Sequence, residues 1–332
     1  VCLASKVQSV VFSDVSPNPT DQEIARGKRA FEEGRHDAVI AIGGGSGMDA
    51  GKAISLVGCN DTDLWAFDYD HSEPPDLASE SFVPLICVPT TAGTGAETES
   101  TAMLTDTEQG VKRCVWHAKQ KPLLAVLDPE LTLGLPADLT AWTGCDALVH
   151  AIEAYSVPDW NPLCDGLALE AIRLISGSLE RAVAHGEDLE ARGAMLVGSC
   201  LAGISFLKGL GLVHAMSHMV GAVCDTHHGL TNAVLLPPVL LFNKSALMQR
   251  SPQISQAMGL LSQDFEGMYS GVVELLDTLE IPRGLSDLQV PEKNLHIIAE
   301  KAFTDAARST NPVSSSVSEI RELLEVSFYK AR

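Results

Sequence analysis

The spacing of apolar residues divides the chain into two unlike parts. In the first third, short apolar runs alternate with segments of helical spacing, and the runs cover residues 38–42, 82–88 and 123–127. This alternation is typical of a parallel sheet whose strands are connected by helices. The same pattern predicts a strand at residues 7–12 and an amphipathic helix that opens at Asn18-Pro19-Thr20 and reaches Glu33.

Beyond Pro136 the strand-like runs nearly vanish, and apolar residues recur every three or four positions. This spacing predicts helices over residues 137–155, 162–184, 188–207 and 213–223. The chain of 332 residues also exceeds the roughly 250 to 300 residues that one hydrophobic core organises. The sequence therefore predicts an α/β domain over residues 1–135 and an all-helical domain over residues 136–332.

Charge and cysteine spacing narrow the expected partners and compartment. The 23 lysines and arginines against 43 aspartates and glutamates give a formal net charge of −20. This charge repels nucleic acids and anionic membranes, so neither is an expected partner. No apolar run is long enough to span a membrane, and residues 1–6 lack the pattern of a signal peptide. The eight cysteines form no Cys-x-x-Cys pair, so we expect reduced thiols and a cytoplasmic protein.

A glycine-rich turn, Gly43-Gly44-Gly45-Ser46-Gly47, joins the apolar run 38–42 to a helix that reaches Val57. Glycines let the backbone approach a diphosphate closely, and the N-terminus of the helix offers free N–H groups. The turn does not match an ATP-binding loop, because Ser46 stands where that loop needs its first glycine. A tight turn that binds nothing is the alternative reading.

A second loop of the same kind favours the nucleotide reading. It follows the run 82–88 and offers the hydroxyls of Thr90, Thr91 and Thr94. Ligands of open parallel sheets bind at the carboxyl ends of the strands, where both loops are predicted. The two loops together predict a nucleotide cleft.

Histidines and an aspartate cluster in the predicted helical domain. Asp146 and His150 are four residues apart, as are His214 and His218, so each pair shares one helix face. The dipeptide His227-His228 follows shortly afterwards. Imidazoles combined with a carboxylate suit Fe(II) or Zn(II) and suit Mg or Ca poorly. Spacing alone does not decide which of the four later histidines bind a metal, and a lone histidine in a helix is usually structural.

Several segments together resemble the iron-dependent (group III) alcohol dehydrogenases. They are residues 42–49, 89–94, 128–129, 143–155 and 211–229, and they match in order and spacing across nearly the whole chain. The resemblance implies a Rossmann-like parallel-sheet domain followed by an all-α domain, an architecture similar to that of dehydroquinate synthase. Family members begin with a further strand that carries an acidic residue for the adenosine ribose. We therefore expect the first strand upstream of Val1, and the choice between NAD and NADP stays open.

The resemblance also assigns roles to individual residues. It implies one divalent metal, Fe(II) before Zn(II), held by Asp146, His150, His214 and His228. It implies that His218 is a catalytic proton-relay residue and His227 a neighbour. Cofactor contacts are implied for Gly44, Gly45, Ser46 and Asp49 at the diphosphate, for Thr90, Thr91 and Thr94 at the nicotinamide, and for Lys112 at the ribose. The alternative for Lys112 is a solvated side chain.

The expected function is hydride transfer between a small primary alcohol or aldehyde and NAD or NADP, assisted by the metal. Three alternatives stay open: a lyase similar to dehydroquinate synthase, a metal-free enzyme similar to maleylacetate reductase, and a silent nucleotide-binding protein. The stretch 142–236 offers only four cations, Arg173, Arg181, Arg192 and Lys208, which disfavours the multiply charged substrate of the lyase. The identity of the alcohol and the oligomeric state are open, although a homodimer is the commonest outcome for soluble enzymes.

Overall fold

The computed structural model describes residue 5 and the ranges 7–71 and 73–329. Cys2 and most of the N-terminal residues used above lie outside the described residues. The chain divides into two compact units, Val1–Thr90 with Ala96–Val126, and Thr91–Gly95 with Leu127–Arg332. This division falls earlier than the predicted boundary at residue 135, and it assigns the loop Thr91–Gly95 to the second unit. The loop packs closely against α3 (Ala137–Ser156), since a Cβ atom on Gly93 would lie only 2.6 Å from Cβ of Thr143.

The first unit contains a parallel sheet built from three strands. They are β1 (Val39–Gly43), β2 (Leu85–Pro89) and β5 (Leu124–Ala125), in the order β1-β2-β5. The register of β1 on β2 runs from Val39↔Leu85 to Gly43↔Pro89. The carboxyl ends of β1 and β2 therefore lie side by side, and the N–H of Thr90 donates to the carbonyl of Gly43 at 2.9 Å.

Two helices and a hairpin complete this unit: α1 (Asp21–Gly34), α2 (Gly45–Val57) and the antiparallel strands β3 (Thr101–Asp106) and β4 (Val111–Trp116). A reciprocal capping box starts α1, because the Thr20 hydroxyl accepts from the N–H of Glu23 and the Glu23 carboxylate accepts from the N–H of Thr20. Ile24 and Phe31 then bury the apolar face of α1.

The prediction of a strand at residues 7–12 was wrong. None of these residues belongs to a strand, and Val10 and Val11 are 70% and 86% exposed. The β-branched residues match a strand in composition, but a strand also needs a neighbouring backbone with which to share hydrogen bonds. No such neighbour occurs within the part of the chain that the structure describes.

Close contact between α2 and β1 depends on Gly51. A Cβ atom at this position would lie 2.4 Å from Cβ of Ala41, which is part of the strand and cannot swing away. We expect Gly51→Ala to lower the free energy of unfolding by about 1–3 kcal/mol, the usual cost of overpacking a core. Urea unfolding followed by circular dichroism measures this loss.

The matched control for this prediction is Gly177→Ala, in a helix where an added Cβ would meet nothing within 4 Å. Because alanine favours the helix more than glycine does, this variant should gain up to about 1 kcal/mol. Equal stability of the two variants would contradict the close packing of α2 on β1.

In the described residues of the second unit, all regular secondary structure is helical. Its helices are α3 (Ala137–Ser156), α4 (Pro162–Ala184), α5 (Leu189–Ser205), α6 (Leu212–Cys224), α7 (His228–Phe242), α8 (Lys244–Leu247), α9 (Ser251–Ala257), α10 (Phe265–Thr278), α11 (Leu295–Thr304) and α12 (Val317–Tyr329). Helix α3 packs against α4, α5 and α7 and is buried on almost all sides from Thr140 onward. The predicted fold class, a parallel-sheet unit followed by a helical unit, is confirmed.

Among the described residues, one helical stretch, Leu189–Lys208, is long and apolar enough to cross a membrane by length and composition. It consists of α5 and the short helical turn that follows, and α5 packs against α3 and α4. This packing accounts for its apolar character as that of a core helix.

Candidate metal centre and cofactor loop

Four buried or half-buried side chains from three helices meet in the second unit. Asp146 and His150 lie one turn apart on α3, His214 lies in the first turn of α6, and His228 begins α7. One ligand atom from each lies within 4.8 Å of all the others. Oδ1 of Asp146 is 3.5 Å from Nε2 of His228, 3.9 Å from Nε2 of His214 and 4.0 Å from Nε2 of His150.

These distances fit a single metal ion. Metal–ligand bonds of about 2.1 Å to nitrogen and oxygen place the ligand atoms roughly 3–4 Å from one another. The donor set of three imidazoles and one carboxylate suits Fe(II) or Zn(II). The structure thus brings together the four residues that the resemblance implied as ligands.

Burial keeps the imidazoles of His214 and His228 in the neutral form that can bind a metal. It lowers the pKa of His214 well below its usual value, and the neighbouring imidazoles lower it further. Burial lowers the pKa of His228 to about 4. Burial raises the pKa of Asp146, but His150 and His228 oppose this and the net pKa is lowered, so Asp146 is an anion at neutral pH. The site thus combines the negative charge of Asp146 with neutral nitrogen donors from His214 and His228.

The other two histidines of the cluster have different surroundings. His227 caps the start of α7, because its Nδ1 atom accepts from the N–H of Leu230, and its ring lies 5.0 Å from that of Trp142. His218 lies one turn after His214 on α6, and its ring stacks on that of His228 with centroids 5.4 Å apart. His218 is thus next to the four-residue set without belonging to it.

Asn232 contacts three of these four side chains, and its place beside them was not predicted from the sequence. Its Nδ2 atom donates to Oδ1 of Asp146 at 2.7 Å, and it lies 3.2 Å from Nε2 of His214 and 3.1 Å from Nε2 of His228. The carboxylate oxygen and the two imidazole nitrogens therefore converge on one point. The available signal was the position of Asn232 four residues after His228, on the same face of α7.

Glu153 is a second residue that the sequence analysis left without a role. Its Oε2 atom lies 2.6 Å from Nδ1 of His214, and its Oε1 atom accepts from the N–H of Val213 at 2.8 Å. Burial raises the pKa of Glu153 to about 8, and the backbone N–H groups of Val213 and Gly211 oppose this rise. In its ionised form, which the positive charge of a bound metal would favour, Glu153 caps the N-terminus of α6 and accepts from Nδ1 of His214.

The glycine turn of the first unit forms the N-terminus of α2. Gly44 is the N-cap residue and has no side chain to occupy the N–H groups of the first turn. The hydroxyl of Ser46 accepts from the N–H of Asn18 at 3.2 Å, and Oδ1 of Asn18 accepts from Nζ of Lys112 at 2.6 Å. Asn18, which the sequence analysis read only as the start of a helix, therefore connects Ser46 to Lys112.

Asp49, the fourth residue implied at the diphosphate, contacts β3. Its carboxyl accepts from the backbone N–H of Met103, and burial raises its pKa to about 7 while Lys52 opposes that rise. Lys52 is fully buried, and its Nζ atom donates to the carbonyl of Thr101 at 2.8 Å. The first half of α2 is thus hydrogen-bonded to β3 by two polar side chains, Asp49 and Lys52. Of the three threonines, Thr90 follows β2 in the first unit, and Thr91 and Thr94 lie in the loop of the second.

Sequence profiles of one family match both units. A profile described as iron-containing alcohol dehydrogenase matches residues 2–129, and the C-terminal profile of the Fe-containing alcohol dehydrogenase family matches residues 140–328. The chain belongs to the iron-containing alcohol dehydrogenase family. It is a metal-dependent alcohol dehydrogenase linked to a nicotinamide cofactor, and so an oxidoreductase that acts on CH–OH groups. The predicted family and class of activity are confirmed.

Individual relatives of this dehydrogenase cover nearly the whole chain. The NAD-dependent methanol dehydrogenase of Bacillus methanolicus is 38% identical over 325 residues, which are 95% of this chain and 83% of that protein. The 1,3-propanediol dehydrogenase of Citrobacter freundii is 37% identical over 329 residues, which are 97% of this chain and 84% of that protein. A crystal structure of a 1,3-propanediol oxidoreductase matches with a TM-score of 0.93 at 36% identity, covering 98% of this chain and 86% of that one.

Proposed function

We propose that this enzyme interconverts a small, weakly charged primary alcohol and its aldehyde, using one divalent metal held by Asp146, His150, His214 and His228. The observation that carries the proposal is the convergence of these four ligand atoms within 4.8 Å in the helical unit. Fe(II) is the first candidate, because the donor set suits it and the family is named for iron, and Zn(II) is the second. When bound, the metal supplies a Lewis acid that lowers the pKa of the alcohol hydroxyl.

The residues around the proposed ligands would orient them and accept the proton of the alcohol. With a metal bound, the ionised Glu153 would accept from Nδ1 of His214, so that Nε2 keeps its lone pair for the metal. Asn232 fixes the carboxylate of Asp146 through a hydrogen bond of 2.7 Å. We assign His218 as the catalytic residue that takes the proton of the alcohol, since it lies beside the ligands and reaches solvent.

We propose that the first unit binds the cofactor at the start of α2. Gly44 and Gly45 would leave backbone N–H groups free for the diphosphate, and Ser46 and Lys112 would add polar contacts. Asp49 would hold this loop against β3, and Thr90, Thr91 and Thr94 would line the nicotinamide. NAD is the first cofactor to test and NADP the second, because the methanol dehydrogenase relative is NAD-dependent.

We propose a weakly charged substrate because the lysines and arginines around the proposed ligands already have partners within the protein. All four lysines and arginines between residues 142 and 236 are bonded to other groups of the protein: Arg173 to Glu170, Arg181 to Asp188, Lys208 to Asp165, and Arg192 to Thr140. The phenyl ring of Phe206 lies 4.9 Å from the ring of His150 and offers an apolar wall. A multiply charged substrate would need cations that these contacts already engage.

We also infer that the enzyme is cytoplasmic and acts as a homodimer. The seven cysteines that the structure describes form no disulfides with one another, as is usual in a reducing compartment. The dimer rests on the general prevalence of twofold symmetry among soluble enzymes.

The test of the proposed function is activity before and after metal removal. Protein purified anaerobically and treated with a chelator should lose alcohol-dependent reduction of NAD, and Fe(II) or Zn(II) should restore it. Mg²⁺ is the matched control ion, since it prefers oxygen ligands and should restore nothing. The highest kcat/KM should belong to neutral primary alcohols rather than to carboxylated ones of the same length. Full turnover in metal-free protein would contradict the proposal and favour a metal-free reductase.

A further inference from the structure

His218 pairs with a carboxylate that is distant in the sequence. Its Nδ1 atom is 3.0 Å from Oδ2 of Asp305, 87 residues further along the chain. The His218 ring stacks on that of His228 and lies 5.8 Å from the ring of His214. The His218 side chain is also 40% exposed, so it stands between the proposed ligands and solvent.

Asp305 is itself held by the backbone that surrounds it. It follows α11, and its other carboxylate oxygen, Oδ1, accepts a hydrogen bond of 2.8 Å from the N–H of Ala307. Both α11 and the short helical turn Ala306–Thr310 pack against α6, the helix that carries His218. The Asp305 side chain is only 11% exposed, so its second oxygen has a fixed direction towards the imidazole.

The chemistry of this pair determines which imidazole nitrogen carries the proton. An ionised carboxylate only accepts hydrogen bonds, so Nδ1 of His218 must donate. A neutral imidazole has one N–H group, which leaves Nε2 as a bare acceptor. We propose that Asp305 is a positioning residue, which holds His218 in the orientation and tautomer whose Nε2 atom takes the proton of the alcohol. This inference rests on the proposed function, in which His218 is the proton acceptor.

The proposed oxidation of the alcohol would transfer one proton and one hydride. The O–H bond of the alcohol would break and its proton would move to Nε2 of His218, while the C–H bond would break and its hydride would move to the oxidised nicotinamide, when that cofactor is bound. The alcohol loses two electrons in this way and becomes the aldehyde. The carboxylate of Asp305 stabilises the imidazolium that forms and takes no proton itself. His218 then releases the proton to water.

Two carboxylates outside the proposed ligand set contact an imidazole, those of Asp305 and Glu153, and the two pairs differ in their exposure to solvent. Glu153 and His214 form a pair whose side chains are 7% and 1% exposed, so that pair has little access to water. Asp305 and His218 are 11% and 40% exposed. The buried pair suits metal ligation, and the exposed pair suits exchange of protons with solvent.

The test is the isosteric substitution Asp305→Asn. The asparagine oxygen can still accept from Ala307, since asparagine is as good a cap as aspartate, but the amide nitrogen would face Nδ1 of His218 and donate to it. The imidazole proton would then move to Nε2, which could no longer accept. We expect kcat for alcohol oxidation to fall about 100-fold or more, within the range for loss of a general base, with KM for alcohol and cofactor and the metal content unchanged.

Two further variants keep the result interpretable. Asp305→Ser retains a capping hydroxyl too short to reach His218, so it should show the same loss of kcat if the asparagine variant does not fold. Asp264→Asn is the matched control, because Asp264 also caps a helix, accepting from the N–H of Gly267 at 2.7 Å, but contacts no histidine among the described residues. This control should keep the wild-type kcat.

The decisive experiment measures kcat for Asp305→Asn in a His218→Ala background. If Asp305 acts through His218, Asp305→Asn should cause no further loss of kcat there. A loss of the same size with and without His218, or a wild-type kcat for Asp305→Asn, would overturn the inference. Failure of the proposed function itself would look different, since the wild-type protein would then oxidise no alcohol in the presence of metal.

Discussion

Replacing His214 by alanine should remove both the metal and the activity of the enzyme. The substitution deletes a buried nitrogen that lies 3.9 Å from Oδ1 of Asp146, and it leaves the Glu153 carboxylate without its imidazole partner. Metal content measured by elemental analysis should fall from about one ion per chain to near zero, because a catalytic site of this kind uses few protein ligands. Loss of the Lewis acid is worth several kcal/mol, so kcat/KM should fall about 10³-fold or more.

The matched control for this substitution is His296→Ala. His296 is exposed on α11, and its Nδ1 atom contacts the carbonyl of Lys293 at 2.7 Å. Its removal should leave metal content and turnover at wild-type values. A His214→Ala protein that still binds one metal ion and turns over alcohol would refute the assignment of the ligands.

Replacing Glu153 by glutamine should weaken metal binding although Glu153 is not a proposed ligand. The glutamine oxygen can still accept from Val213, but its amide nitrogen would face Nδ1 of His214 and donate to it. The imidazole proton would then occupy Nε2, the atom proposed to bind the metal. Partners of this kind contribute about 10- to 100-fold to metal affinity, so the dissociation constant should rise by about that factor.

Competition with a metallochromic chelator measures this change directly, with Glu170→Gln as the control. Glu170 is an exposed glutamate whose partner is Arg173 on the same helix, away from any histidine pair. The control should bind metal as tightly as the wild type. Equal affinity in Glu153→Gln would show that the carboxylate does not set the tautomer of His214.

The sequence predicts well those features that depend on local spacing. Asp146 and His150 share one face of α3 because residues four apart on a helix are neighbours, and the structure places both in the four-residue set. The turn at Gly44 was likewise predictable, since an apolar strand followed by glycines and a helical pattern is a local signal.

Features that depend on distant partners were not predictable in the same way. The residues at 7–12 have the composition of a strand, but pairing with another strand decides whether one forms. The roles of Glu153 and Asp305 come from contacts across 61 and 87 residues, and neither has a local signal. The hairpin of β3 and β4 had a sequence signal that was missed, because the polar stretch at residues 107–110 ends in a glycine. In the structure Gly110 lies in the connecting turn with a φ of 68°.

The central claim is that Asp146, His150, His214 and His228 hold one catalytic metal ion. The most direct test is a crystal structure of anaerobically purified protein, with anomalous diffraction recorded on both sides of the iron and zinc absorption edges. We predict one anomalous peak per chain, at either the iron or the zinc edge. The metal ion at that peak should be bound by three imidazole nitrogens and one carboxylate oxygen at about 2.1 Å. Crystals of active enzyme with no such peak, or with the metal bound by other residues, would contradict it.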